Sequence, residues 1–169
     1  MSEPPAGLFR GLFETHLHVA DLDRAMAFYG EVLGLELGLH QQERRAAFYW
    51  IGNDRNTMLG LWEQPPWVAN GSGQTGGGNK VLPQHLAFAL EFEDLLPAID
   101  RLKERGIELR DFHDLVTDEP SVFAWIPAAS IYFNDVDGHL LEFIARLEGE
   151  PVPEIGVVSL AEWKQLRAR

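Results

Sequence analysis

The chain carries one pattern twice, and a repeated pattern requires two similar units whose matching positions can be compared. The first copy reads Glu14-Thr-His-Leu-His-Val-Ala-Asp, an amphipathic stretch through Phe28 and Tyr29, then Gly34-Leu-Glu-Leu. The second reads His85-Leu-Ala-Phe-Ala-Leu, a stretch through Ile99 and Leu102, then Gly106-Ile-Glu-Leu. The offsets, 85 − 14 = 71 and 106 − 34 = 72, keep register within one residue. Each copy closes on a strand-like segment, Thr57-Met-Leu-Gly-Leu-Trp and His139-Leu-Leu-Glu-Phe-Ile, which matches Gly60 with Glu142 at an offset of 142 − 60 = 82. The additional residues of the second copy fall between 110 and 127.

In the first copy Phe13, Thr15, Leu17 and Val19 alternate with Glu14, His16 and His18, the period of a strand with one core face and one polar face. Asp21 is placed to cap a helix whose stripe is Ala25, Phe28, Tyr29, Val32 and Leu33, and Gly34 stops it. Strands are expected over 35–40, 45–51 and 57–63, giving βαβββ. The second copy predicts a helix over 94–105 with Pro97 in its first turn, then strands near Ile107, over 130–134 and over 140–146. Asp135-Val-Asp-Gly-His supplies the turn before the last strand. Ser159-Leu-Ala-Glu162 is a capping-box sequence that opens a short C-terminal helix. The resulting organisation is a tail (1–11), a first module (12–63), a connector rich in Gly and Pro (64–83), a second module (84–147) and a C-terminal tail (148–169).

Composition narrows the function classes. A net charge of −12 argues against unassisted binding to nucleic acid or to an anionic membrane. Without cysteine there is no thiolate nucleophile, thiolate zinc site or disulfide framework. Met1-Ser-Glu-Pro-Pro lacks the basic and apolar regions of a secretory signal, and no apolar run approaches the roughly 18 residues of a membrane span, so a cytoplasmic protein is expected. Gly71-Ser-Gly73-Gln-Thr-Gly76 matches the dinucleotide fingerprint in letters alone. It is followed by more glycine and Pro83 instead of a helix, so a loop is the expected structure.

On this frame the chain resembles the vicinal oxygen chelate superfamily of glyoxalases, bleomycin-resistance proteins and extradiol dioxygenases. The resemblance covers roughly residues 12–146. It rests on His18-Val-Ala-Asp21-Leu-Asp-Arg-Ala-Met-Ala-Phe28-Tyr29 with Val32-Leu-Gly-Leu-Glu-Leu, on Asp135-Val-Asp137-Gly138-His-Leu-Leu-Glu142-Phe, and on His85 between them. It implies an α+β fold in which two tandem βαβββ modules form a half-open mixed β-sheet barrel with flanking helices, commonly as a homodimer. The family's metal-ligand positions correspond here to Glu14, Gly60, His85 and Glu142. Glu14, His85 and Glu142 would thus hold a divalent metal ion, and two carboxylates with one imidazole suit Mn, Fe(II), Ni, Co or Zn. A small-molecule substrate with oxygen donors would take the open coordination positions.

The resemblance implies a glyoxalase/dioxygenase-like lyase or dioxygenase, or else a metal-free bleomycin-resistance-like protein that sequesters a hydrophobic or aromatic ligand. Glyoxalase I members use a carboxylate where this chain has Gly60, so weak or absent glyoxalase I activity is expected unless Glu14 or His16 substitutes, to be raised by Gly60→Glu where the cavity tolerates the added volume. His16 shares the strand face of Glu14 and serves as a reserve ligand, an auxiliary acid/base or a lining residue. Glu142 stands with His16 as the catalytic pair. Trp62 and His18 are candidate substrate contacts; the alternative for Trp62 is packing within the sheet. Trp67, in the connector, is a candidate lid residue.

Overall fold

The computed structural model describes residues 11–64 and 81–168. The connector residues Trp67 and Gly71 to Gly76 lie outside them. The chain divides into two compact units between Val81 and Leu82.

The first unit runs β1 (Glu14–Val19), α1 (Leu22–Met26), β2 (Glu36–Gln41), β3 (Ala46–Ile51) and β4 (Thr57–Glu63). Its sheet has the order β1-β4-β3-β2, with β1 parallel to β4 and the other pairs antiparallel. Leu17 and Val19 enter the core beneath α1 while Glu14, His16 and His18 are exposed, as the alternation predicts. Asp21 caps α1 by accepting from the Arg24 backbone N–H. Beyond α1 the helix widens into a π-helical turn over Ala27–Val32, where the Tyr49 hydroxyl donates to the Met26 carbonyl. A 3.6-residue stripe carries no sign of that widening.

The second unit runs β5 (His85–Leu90), α2 (Phe92–Glu104), β6 (Ser121–Phe123), β7 (Ala128–Asn134), β8 (Leu140–Arg146), β9 (Val157–Ser159) and α3 (Leu160–Arg167). Its sheet has the order β5-β8-β7-β6-β9. Both sheets are mixed and open, and with their helices they make an α+β fold. Leu95, Ile99 and Leu102 bury one stripe of α2. Phe133, Leu141 and Ala145 lie beneath the sheet. Ser159 and Glu162 form the expected capping box. Among the described residues no helix is long and apolar enough to cross a membrane.

The two units share their hydrogen bonding. The Met58 N–H donates to the Phe13 carbonyl, and Leu140 donates to Gln84. These pairs are related by 84 − 13 = 71 and 140 − 58 = 82, the offsets found in the sequence. Gly34 and Gly106 both end their helices at positive φ, 76° and 73°, a conformation that glycine adopts without steric cost.

The expected strand at Ile107 does not form. Arg110 alone pairs with Tyr132, through two backbone hydrogen bonds, and the chain then turns away. Asp111 causes the turn, because its Oδ1 accepts from the backbone N–H groups of both His113 and Leu115. The place that β2 fills in the first unit is therefore divided here between Arg110 and the short β6. The C-terminal segment adds β9 outside β6, a strand absent from the expected pattern.

Candidate functional site

In the second unit β8 is flanked by β5 and β7, which places Glu142 at the centre of one sheet face, opposite Ala87 on one side and Tyr132 on the other. Its side chain is only 6% exposed. A carboxylate in such a place needs partners. The Ser130 hydroxyl donates to Oε1, and His85 Nε2 stands 3.0 Å from Oε2. His85 itself is half exposed, with its ring 6.1 Å from that of Tyr132. The Tyr132 hydroxyl is pushed up to about 12, chiefly by burial; a hydrogen bond with Ser130 pulls the other way and the charge of Glu142 adds to the rise. It is a neutral hydroxyl throughout the physiological range.

A residue read in the sequence as the end of the turn before the last strand supports this arrangement. His139 is fully buried, and its Nδ1 accepts from the Gln84 backbone N–H at 3.0 Å, immediately before His85. Asp135 Oδ1 in turn accepts from the backbone N–H groups of Asp137 and His139. The Asp-Val-Asp-Gly-His signal therefore ties the start of β5 to β8, beyond making a turn.

The first unit builds the corresponding face differently. Glu14, His16 and His18 stand opposite Met58, Gly60 and Trp62. Gly60 gives the His16 ring its seat: a Cβ at position 60 would lie 2.5 Å from His16 Cδ2. A carboxylate at position 60 therefore requires the His16 ring to shift, since its first carbon already meets that ring. His16 Nε2 pairs with Glu14 Oε1. The His16 ring lies 6.1 Å from Phe48 and 5.9 Å from Trp62, while Phe48 and Trp62 meet edge to face at 5.7 Å. The Trp62 indole N–H is buried with no acceptor among the described residues.

Of the residues singled out in the sequence, His85 meets Glu142, Glu14 meets His16, and His16 packs on Trp62, with His18 opposite Trp62 across the strands. Glu14 belongs to the first unit and the His85–Glu142 pair to the second. Among the described residues no three side chains of ligand type stand together as a preformed set. The His85–Glu142 pair does fit two ligand positions. The two groups are hydrogen-bonded at 3.0 Å, and an imidazole beside a carboxylate is a donor set that divalent first-row ions take. Ser130 behind the carboxylate is the kind of outer partner that orients a ligand.

The model of the Glyoxalase/Bleomycin resistance protein/Dioxygenase superfamily matches residues 11–143. The chain belongs to that superfamily. Among solved structures, an integron cassette protein from the mobile metagenome of the Halifax Harbour sewage outfall is 31% identical, with 81% of this chain and 99% of that one covered at a TM-score of 0.64. The oxidase ChaP-H1 is 26% identical, covering 82% of this chain and 98% of its own, at a TM-score of 0.58. A lactoylglutathione lyase from Agrobacterium tumefaciens, 24% identical with 85% and 96% covered and a TM-score of 0.57, shares the fold.

Proposed function

We propose that this chain is a metal-dependent enzyme acting on a small oxygenated organic substrate, with His85 and Glu142 of the second unit as ligands of a divalent ion. The observation that carries this reading is the buried Glu142 carboxylate, fixed at one oxygen by Ser130 and turned toward a half-exposed imidazole by the other. A bound divalent ion supplies Lewis-acid polarisation of a substrate oxygen. Tyr132, a neutral hydroxyl opposite Glu142, is suited to donate a hydrogen bond to such an oxygen. In the first unit Glu14 Oε1 pairs with His16 Nε2. His16, so oriented, is the candidate acid/base.

The aromatic face of His16, Phe48 and Trp62, with its buried indole N–H, favours a second reading: a metal-free protein that sequesters a flat ligand. Chelator-stripped protein separates the two, because a ligand that binds only the folded state raises the thermal midpoint. Mn, Fe(II), Ni, Co or Zn is expected to raise it in the wild type and to lose most of that effect in His85→Ala. No rise with any of the five leaves the sequestering protein as the better account.

A further inference from the structure

Beyond Glu142 the same face of the second unit continues as a shallow trough. Glu142, Ile144 and Arg146 alternate along β8 on one side of the sheet. Ala89 stands opposite Ile144 on β5, while Ser130 and Ala128 stand opposite Ile144 and Arg146 on β7. Small side chains on both flanking strands leave room above the sheet. A hollow of about 390 Å³ opens there, walled by Ala89, Ala128, Ile126 and Ile144 and bounded by Glu91 and Arg146. Four residues of strand separate Glu142 from Arg146, roughly 13 Å.

The two charges at the far end are the informative part. Arg146 makes no ion pair among the described residues, whereas Arg45, Arg55, Lys103 and Arg110 are each paired with carboxylates. Glu91 occupies the N-cap position of α2 yet its side chain makes no capping bond. The two residues border one hollow without pairing with each other. On their other side a second hollow, of about 640 Å³, holds Lys164 and Arg167, but those cations rest over the Phe92 and Trp163 rings. A ligand matched to Glu91 and Arg146 together carries an ammonium and a carboxylate on one head and an apolar body behind it. Such a head has no net charge, so the −12 of the chain does not repel it as it would a simple organic anion.

We infer that Glu91 and Arg146 form a head-group subsite for an apolar α-amino acid, whose body lies over Ala89, Ala128 and Ile144 and whose far end points toward His85 and Glu142. As a statement of substrate class it rests on the reading of that pair as the reacting centre. Head-group binding itself needs no metal, so it is measured in chelator-stripped protein by calorimetry or ligand-observed NMR. The probes are L-phenylalanine, 3-phenylpropanoate and 2-phenylethylamine, which share a body and differ in the head. Phenylalanine is expected to bind tightest of the three. Arg146→Gln is expected to weaken phenylalanine and phenylpropanoate by about tenfold or more, the usual worth of a charge-assisted hydrogen bond. Glu91→Gln is expected to weaken phenylalanine and phenylethylamine while strengthening phenylpropanoate, a reversal of sign that damage to the fold does not produce. Equal binding of all three probes, or no probe responding to either substitution, overturns the subsite. Probe binding that survives in a His85→Ala variant unable to take up metal supports the subsite whatever becomes of the metalloenzyme reading.

Discussion

The two units are one frame furnished in opposite ways. In both, the first strand lies parallel to the last in the same register, so that Glu14 stands to Gly60 as His85 stands to Glu142. In the first unit the bulky residue is on the first strand, His16, and the last strand gives way with Gly60. In the second the first strand gives way with Ala87, and the last carries the buried Glu142. A duplicated backbone can thus hold one polar group per face on either strand, provided the neighbour across is small. The consequence for chemistry is unequal: the second unit has an oriented, buried carboxylate, and the first an exposed Glu14–His16 pair among aromatic rings.

That difference can be broken directly. Gly60→Ala forces a Cβ against His16 Cδ2 and is expected to cost about 1–3 kcal/mol, as overpacking does. In a His16→Ala background most of that cost should vanish. A double-mutant cycle by urea denaturation measures the coupling, and additive costs would show that the His16 ring does not depend on the Gly60 seat.

A smaller effect separates the ion pairs of the two units. Glu63 accepts from Arg45 and from the Leu22 backbone, and the Arg45 guanidinium holds its carboxyl below the usual range. A carboxylate lowered on folding contributes stability above its unfolded value and loses it as pH falls through the folded one. The thermal midpoint of the wild type should therefore fall more steeply on acidification than that of Glu63→Gln. The second unit's Lys103–Asp118 pair is solvent-exposed, and although Lys103 lowers Asp118 in the same direction, screening leaves little to lose. Asp118→Asn should track the wild type across the same titration.

Much of this frame is legible in the sequence because it is written in short-range signals. Alternation placed β1 and β5, Gly34 and Gly106 placed the helix ends, and Ser159 with Glu162 placed α3. The failures have physical causes. Residues 107–109 look like a strand, but a strand exists only through a partner, and Arg110 alone pairs with β7 before the Asp111 turn takes the chain away. The π-helical turn is met by the Tyr49 hydroxyl, which donates to the Met26 carbonyl from a distant strand. At the site, His85 stands beside Glu142, the two positions that the resemblance gave as ligands, and alternation put Glu14 on the strand face of His16. Ser130, Tyr132 and His139 were missed as parts of it. Serine and tyrosine in a strand carry no signal until register sets them beside a carboxylate, whereas the turn motif around His139 was visible and its buried role was not.

The His85–Glu142 pair of the second unit is proposed above as the core of a metal centre. Metal content per chain after loading and gel filtration, compared among wild type, Glu142→Gln, His85→Ala and His16→Ala, tests it most directly. About one ion per wild-type chain is expected, with near-complete loss in Glu142→Gln and His85→Ala and retention in His16→Ala. Metal retained in both second-unit variants, or lost only when His16 is removed, would contradict it and move any metal centre to the first unit.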